Sequence, residues 1–477
     1  MTQTVRRPPG PRGLPLLGSL GAMITKPMEF FRSMTLDYGP IAYARLGPNH
    51  VYTLNEPALI EEFLVAQQKS AIKDPITHSL EPLIGHGLIT SEGELWKRQR
   101  KLAAQPFAPK RLVSYEGAMV AAAERAFASY RHGETRDFHA AMMALTLEVV
   151  SQTLLGVSTG EQSERISHSL EASLDYFEER IYSWGRLLPA SFPTPKLLRF
   201  RRAKRELDQI VRGIIERCRH EDRDADYLLA RLVRARTDDQ QAGMSEQQLL
   251  DEAVTMLLAG HETTALALMF AVYLLSANPA VSARLTAEVD TVLGERTATA
   301  ADLERLPYLD AVVRETLRLY PPAYVFARQL VSQVELGGYT LPVDSHVLVS
   351  PYGVHRNPAL YRAPERFEPE RWLSAEARSL PRFAYLPFGG GHRICIGNHF
   401  AQLEAGLLLA TMVQRLELQV TPGFKLELAP VLTLRSRHGM PVRVSKRPPL
   451  RDSGVGVSPS VTSVSPSPAS GCPFASA

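Results

Sequence analysis

Cysteine is scarce in this sequence. Its 477 residues include three cysteines, Cys218, Cys395 and Cys472, and no two of them form a C-x-x-C pair. An odd number of widely separated cysteines argues against a disulfide framework and against a zinc ribbon. Such sparse cysteine use is typical of a protein in the reducing cytoplasm, and a cytoplasmic location is what we expect.

A strong charge of one sign is also lacking, and we expect no leader segment. The formal net charge is +4 and no basic stripe with interleaved aromatic residues is visible, so nucleic acid is not expected as a partner. Arg6 and Arg7 are followed by PPGPRGLPLLG instead of an apolar run. This argues against a signal peptide, and we expect no membrane anchor.

Hydrophobic periodicity predicts a mainly α protein with a minor β part. Helical spacing dominates from about residue 57 to 320 and returns at about 397 to 415. Short strand-like runs occupy residues 40–56 and 331–350, the latter with Gly337-Gly338 as a turn, and recur after residue 415.

The composition changes at both ends of the chain. Residues 1–22 hold the proline-rich segment and are predicted to form an extended lead-in. Residues 23–447 are expected to form a single domain. Residues 448–477, dominated by Ser, Pro, Gly and Val, are predicted to be a disordered tail.

One apolar segment, residues 253–275, is long enough to cross a membrane. Glu262 lies near its centre, where an ionised side chain would be costly in a bilayer. Ser245 with Gln248 forms a helix-start signature, and Asn278-Pro279 forms a stop. We therefore predict a helix of roughly 30 residues through the protein core, about 45 Å long.

Residues 388–397, FGGGHRICIG, carry the most informative pattern. Three consecutive glycines require a tight turn or a close approach of the backbone to another group. Cys395 follows them just before a helical pattern, where backbone N–H groups and the helix dipole favour a thiolate. The alternative from the residues alone is a glycine-rich turn with a buried structural cysteine.

This segment resembles the haem-binding signature of the cytochrome P-450 family, F-x-x-G-x-R-x-C-x-G, at every fixed position. The resemblance implies haem b as cofactor, buried between a long central helix and the cysteine loop. It implies that Cys395 is the axial iron ligand, that Phe388 packs near its sulfur and that Arg393 binds a haem propionate. A thiolate ligand favours cleavage of the O–O bond.

The segment AGHETT, residues 259–264, is similar to the oxygen-activating part of that family's central helix. The resemblance implies that Gly260 lets the backbone approach the haem, that Thr263 contacts dioxygen and that Glu262 relays protons. A zinc-hydrolase motif H-E-x-x-H fails because Ala265 stands at the second histidine position. Hydroxyls that bond to their own helix backbone remain the alternative.

Two more groups of residues match the family. Glu315 and Arg318 resemble its buried E-x-x-R pair, and Arg366 resembles the second arginine of that network. Trp96 and Arg100 resemble its W-x-x-x-R haem-edge motif, for which a surface pair is the alternative. Arg328 stands where many members have a further propionate ligand, and an ordinary strand arginine is the alternative.

The resemblance implies a monomeric monooxygenase that inserts one atom of dioxygen into an apolar substrate, such as a fatty acid, a terpenoid or a polyketide. It also implies electrons from a ferredoxin or flavodoxin with its reductase. The candidates for docking that partner are Lys97, Arg98 and Lys101. The alternative is that these residues form a merely solvated helix face. Ala259, Val325 and Phe326 are expected to line the substrate pocket. The alternatives are a haem-thiolate peroxygenase or isomerase, and a non-enzymatic haem-binding sensor.

Overall fold

The structure, a computed structural model, describes residues 7–157, 161–182, 192–220, 227–234 and 243–448. The predicted tail therefore lies almost entirely outside the described residues. In these ranges the α-helices are α1 (Leu20–Thr25), α2 (Pro27–Leu36), α3 (Pro57–Glu61), α4 (Pro75–His78), α5 (Glu81–Ile84), α6 (Gly93–Ala104), α7 (Pro109–Leu112), α8 (Glu116–Ala128), α9 (Phe138–Leu155), α10 (Glu161–Tyr182), α11 (Pro195–His220), α12 (Leu228–Arg234), α13 (Glu246–Ala277), α14 (Pro279–Leu293), α15 (Ala300–Leu303), α16 (Pro307–Leu319), α17 (Pro351–Val354), α18 (Ala375–Ser379) and α19 (Asn398–Arg415).

The strands are short and form four sheets within the described ranges. They are β1 (Ile41–Leu46), β2 (Asn49–Leu54), β3 (Ala71–Lys73), β4 (Thr135–Asp137), β5 (Phe326–Leu330), β6 (Val334–Leu336), β7 (Tyr339–Leu341), β8 (His346–Val349), β9 (Leu416–Val420), β10 (Leu428–Pro430), β11 (Leu434–Ser436) and β12 (Pro441–Lys446). The largest sheet has the order β1-β2-β8-β5-β3, in which only β2 and β8 run parallel. The mainly α architecture with a minor β part confirms the prediction.

The proline-rich segment lies along the first strand. The amide of Tyr43 donates to the carbonyl of Pro9 at 2.8 Å, and Gly18 forms a bridge with Leu46. A Cβ atom on Gly10 would come within 1.7 Å of the Tyr43 carbonyl oxygen, so this contact requires glycine. Helix α1 begins at Leu20, inside the segment expected to be a lead-in.

Helix α13 crosses the centre of the protein. Its start is capped reciprocally: the Ser245 hydroxyl accepts from the Gln248 amide at 3.2 Å, and the Gln248 side chain accepts from the Ser245 amide at 2.9 Å. It ends at Ala277, before Asn278-Pro279. The predicted length and both predicted ends of this helix are confirmed.

Helices α9 and α13 are each long and apolar enough to cross a bilayer, and both are mostly buried inside the protein. They pack against each other over much of their length. A helix that is apolar on most of its circumference is expected in the core of a large protein. Both helices belong to that core, and α13 brings its polar central residues to the functional site.

Candidate active site

The cysteine loop is a short turn that leads into α19. The Cys395 amide donates to the Phe388 carbonyl at 3.0 Å, which closes the loop. Gly389 and Gly391 have φ angles of 71° and 66°, in the left-handed region that favours glycine. A Cβ on Gly391 would also come within 2.3 Å of the Leu64 carbonyl oxygen. The glycines therefore fix the position of the cysteine relative to the rest of the chain.

A cavity of about 380 Å³ lies between this loop and α13. Cys395 and Phe388 lie on one side, and Ala259, Gly260 and Thr263 lie on the other. The remaining wall is largely apolar and includes Leu88, Ile89, Leu154, Met256, Ala267, Val313, Leu317, Phe326 and Ala405. The structure thus brings the cysteine motif and the AGHETT motif together across one apolar space.

Cationic side chains line one edge of the cavity: Lys73, Arg100, Arg328 and Arg393. Antiparallel pairing of β3 with β5 sets Lys73 opposite Arg328. Burial lowers the pKa of Lys73, and the charges of Arg328 and Arg393 lower it further. This edge therefore suits a ligand with negative charge.

The Arg393 guanidinium is held in place by neighbouring groups. It donates to the Ser91 carbonyl at 2.9 Å and forms a close ion pair with Glu92. Its central carbon lies 4.0 Å from the centroid of the Trp96 ring, and His392 packs edge-on against the same ring. Trp96 is thus a stacking platform for the arginine.

The Cys395 thiol opens on the cavity. Burial raises its pKa, whereas the Gly397 amide, Arg100 and Lys73 oppose that rise. The predicted donors near the sulfur are present, but the cost of burying charge outweighs them. A bound metal cation removes the proton from a coordinating thiol outright, so a metal ligand is the role that suits this cysteine.

Thr263 and Glu262 point in different directions. The Thr263 side chain faces the cavity and its hydroxyl donates to the Ala259 carbonyl at 2.8 Å. The Glu262 carboxylate is buried outside the cavity lining, where it accepts from the Thr433 hydroxyl at 2.6 Å and pairs closely with Arg435. Burial alone would raise the pKa of Glu262, but Arg435 and Thr433 together lower it.

These residues fit a flat, largely apolar macrocycle with acidic substituents and a metal ion. The apolar walls would cover its two faces, the cations at the edge would pair with its carboxylates, and Cys395 would bind the metal. Haem is such a macrocycle, and a cysteine thiolate is one of the known axial ligands of its iron.

The protein-family model described as Cytochrome P450 matches residues 8–436. The chain belongs to the cytochrome P450 family. Cyclooctatin synthase of Streptomyces melanosporofaciens is 37% identical over 91% of this chain and 94% of its own length. Cyclooctat-9-en-7-ol 5-monooxygenase of the same organism is 35% identical over 87% of this chain and 90% of its own length. Pentalenene oxygenase of Streptomyces avermitilis is 30% identical over 92% of this chain and 97% of its own length.

Among solved structures, retinoic-acid-bound cyanobacterial CYP120A1 superposes with a TM-score of 0.82, at 26% identity, over 93% of this chain and all of that chain. The fold predicted from the cysteine motif is confirmed. This P450 is a monooxygenase whose cofactor is a haem iron.

The prediction that the Arg366 side chain supports Glu315 and Arg318 is wrong. That side chain is 78% exposed and approaches Glu368 at 3.9 Å, and only its carbonyl accepts from Arg318, at 2.9 Å. Arg371, 6% exposed, takes the expected place at 3.4 Å from Glu315. The reason is a 3₁₀ turn at Pro369–Leu373, which directs Arg371 inward.

The structure places two of the three residues predicted for the substrate pocket at the cavity. Ala259 and Phe326 line the cavity, as does Arg328. Val325 is outside the lining and packs against the hydrophobic core. Side chains alternate across a strand, so Phe326 and Arg328 of β5 share a face that Val325 does not.

Sequence reasoning missed Lys73, Glu92 and His392. Lys73 and Glu92 become part of the site through contacts between distant segments, for example through the hydrogen bond from the Lys73 amide to Glu92 at 2.7 Å. Sequence signals existed for Glu92, which lies four residues before Trp96, and for His392, which lies next to Arg393 inside the cysteine motif.

Proposed function

We propose that this P450 oxygenates a terpenoid-like substrate on haem b, with Cys395 as the iron ligand and with electrons from a separate ferredoxin or flavodoxin system. The observation that carries the proposal is the placement of the Cys395 thiol and Thr263 on opposite sides of one apolar cavity. The chain has no C-x-x-C-H motif, which supports a haem held without covalent bonds.

The haem, when bound, supplies oxygen activation, which a thiolate ligand favours. Lys73, Arg100, Arg328 and Arg393 would hold its carboxylates, with charge-assisted hydrogen bonds from the arginines. Apolar side chains exclude water and orient the substrate. The Thr263 hydroxyl, now bonded to the Ala259 carbonyl, can rotate to donate into the cavity.

Proton delivery from solvent is proposed for Glu262, with Arg435 holding its carboxylate in the resting position. The Glu262 carboxylate is buried, whereas the Arg435 side chain is partly exposed, so the pair connects the middle of α13 with the surface. Once its side chain leaves Arg435, the Glu262 carboxylate would take up a proton from solvent at that end, and movement of the side chain towards the cavity would carry the proton to Thr263.

The substrate class rests on two supports. The cavity is apolar over most of its wall. The relatives named above are named for cyclooctatin, cyclooctat-9-en-7-ol and pentalenene, and the last two names denote an unsaturated alcohol and an alkene. Among fatty acids, polyketides and terpenoids, these names favour terpenoids.

We propose that the protein is a monomer in the cytoplasm. We also propose that its redox partner docks on the face of α6 that carries Lys97, Arg98 and Lys101. Lys97, which pairs with Glu94 at 2.5 Å, is 63% exposed there. Arg98 donates to the Gly243 carbonyl at 2.9 Å, and Lys101 lies one turn further along. Replacing Lys97 and Lys101 with Glu should slow the first electron transfer at low salt, and an unchanged rate would refute this docking site.

The test of the function is the absorption spectrum of the reduced protein with carbon monoxide, for wild type and Cys395→Ser. We expect the strongly red-shifted Soret band of a thiolate-ligated haem in wild type and its absence in the variant. Purified wild type without haem, or with haem but without this band, would overturn the proposal.

A further inference from the structure

A carboxylic acid, Glu252, lines the cavity from helix α13. It lies on the same face of the helix as Met256, Ala259 and Thr263, and all four line the cavity. Ala259 follows Glu252 by seven positions, which corresponds to about 10 Å along the helix. The Glu252 side chain is fully buried. The apolar cavity thus holds one acid at a fixed distance from the oxygenation site.

One oxygen of this carboxyl group has no partner within the described residues. Oε2 of Glu252 accepts from the Leu88 amide at 3.3 Å, whereas Oε1 has no hydrogen bond. The hydroxyl of Thr255, also buried and also lining the cavity, lacks a partner too. Buried polar groups in native proteins are nearly always hydrogen-bonded. Other buried polar atoms of the described residues also lack partners, but Glu252 and Thr255 are the two such residues that line the cavity, which makes them the candidates for hydrogen bonds to a ligand.

The neighbouring acid, Asp251, has a different role. Its carboxylate accepts from the His86 amide at 2.9 Å and from the Gln247 side chain at 2.7 Å. Asp251 therefore holds the segment after α5 against α13. Glu252 contributes one weaker bond to that segment and leaves its buried Oε1 without a partner in the described residues.

Glu252 is a neutral acid at neutral pH. Burial raises its pKa to about 8, with a further rise from Asp251 and a partial offset from the Leu88 amide. A protonated carboxyl group has one O–H donor and can still accept. It can therefore form a hydrogen bond with a neutral oxygen atom of a ligand, whether that oxygen donates or accepts.

We infer that Glu252, together with Thr255, is the recognition point for a hydroxyl group on an otherwise apolar substrate. The inference rests on the proposed function, because the ligand is the substrate of the haem-thiolate site. The hydroxyl group would bind at Glu252, and the carbon to be oxidised would lie about 10 Å away, below Ala259. Glu252 would thus determine both which substrate binds and which carbon reacts.

The experiment compares farnesol and geranylgeraniol, each with the hydrocarbon that lacks only the hydroxyl group. Binding to the ferric holoenzyme is followed by the Soret shift. A neutral hydrogen bond lost in a buried site weakens binding about tenfold. We expect wild type to bind at least one of the alcohols about tenfold more tightly than its hydrocarbon, and Glu252→Met to bind both members of that pair equally.

Matched variants separate recognition from a structural role. Glu252→Gln retains a donor and an acceptor and should retain most of the preference, whereas Thr255→Val should reduce it. Glu404→Gln and Glu404→Met make the same changes at a buried acid outside the cavity lining and should leave the preference unchanged. If Glu252 were only structural, its variants would weaken alcohol and hydrocarbon binding by the same factor.

The inference is overturned if wild type does not distinguish alcohol from hydrocarbon, whether both bind alike or neither binds. It is also overturned if Glu252→Met retains the wild-type preference. If Glu252→Met does not retain haem, the inference is tested by the ratio of alcohol affinity to hydrocarbon affinity in Glu252→Gln and Thr255→Val. Absence of the thiolate band in wild type would overturn the proposed function instead, whereas a normal band without discrimination overturns the recognition of the hydroxyl group alone.

Discussion

At the scale of single residues, a carboxylate buried as completely as Glu315 is stable only where donors surround it. Arg318 donates to both of its oxygens, at 2.8 and 2.9 Å, and Trp372 donates from its indole ring at 2.9 Å. The Glu368 amide and Arg371 complete the set. This arrangement fixes α16 to the segment that precedes the cysteine loop.

Arg371 and Arg366 provide a matched pair of substitutions. Arg371→Ala removes a buried cation from beside Glu315 and should lower the free energy of unfolding by about 3 kcal/mol, as for one partner of a buried ion pair. Arg366→Ala changes an exposed side chain and should alter it by less than about 0.5 kcal/mol.

Thermal unfolding of the two holoproteins, with haem content measured in parallel, is the check. Equal losses in both variants would contradict the assignment of Arg371. The sequence identified this network but did not show which arginine belongs to it. Residues 364–367 (PERF) and 369–372 (PERW) have the same Pro-Glu-Arg-aromatic pattern, and the direction of each arginine side chain depends on the 3₁₀ turn.

At the scale of elements, the contact between α9 and α13 depends on Gly260. A Cβ added to Gly260 would lie 3.1 Å from Val150 Cγ2 and 3.8 Å from a methyl group of Leu154. The missing side chain therefore faces α9, and its absence lets the two helices come close together. Sequence reasoning expected this glycine to serve the haem side of the helix; Gly260 does line the cavity, and its missing side chain in addition serves the contact with α9.

We predict that Gly260→Ala destabilises the protein by about 1 kcal/mol, because overpacking at the stiff Val150 side chain outweighs the higher helix propensity of alanine. Val150→Ala in the same chain should remove most of that cost. A double-mutant cycle on thermal unfolding measures the coupling between the two sites. Additive effects of the two substitutions would contradict a direct contact.

Helix boundaries could be predicted well where capping residues mark them. Ser245 and Gln248 mark the start of α13, and Pro321 lies just beyond α16. The three-residue strands β3 and β4 could not be predicted, because they are too short for an alternating pattern and depend on partners far away in sequence. Lys73 was missed for this reason.

At the scale of the whole molecule, the protein tolerates, besides Glu252, another buried acid without a good partner, Glu404. Glu404 on α19 is fully buried, and neither of its oxygens has a hydrogen bond of ordinary geometry. Its neighbour Thr264 donates to the Gly260 carbonyl at 3.4 Å. Burial raises the pKa of Glu404 to about 8, and Thr264 lowers it slightly.

This acid should make stability depend on pH. The folded chain keeps the Glu404 proton up to about pH 8, whereas the unfolded chain releases it near its ordinary value of 4.5. Stability from this group therefore falls as pH rises between those values, by roughly 3 kcal/mol or more from about pH 5 to about pH 8.

Glu404→Gln lacks this titration. We expect the thermal unfolding midpoint of this variant to rise by several °C relative to that of wild type between about pH 5 and about pH 8. Above about pH 8 the difference should change little. Parallel midpoint curves for the two proteins would show that Glu404 titrates normally in the folded state.

The cations at the edge of the cavity have a consequence for how the enzyme is made. Lys73, Arg100, Arg328 and Arg393 lie on separate segments, and their mutual repulsion opposes bringing those segments together until a doubly negative molecule joins them. A molecule that binds only the folded chain raises its stability in proportion to the logarithm of its concentration. We expect a newly synthesised chain to be degraded sooner in cells short of haem, so that haem supply limits how much of the enzyme accumulates, which its half-life in haem-replete and haem-depleted cells would test.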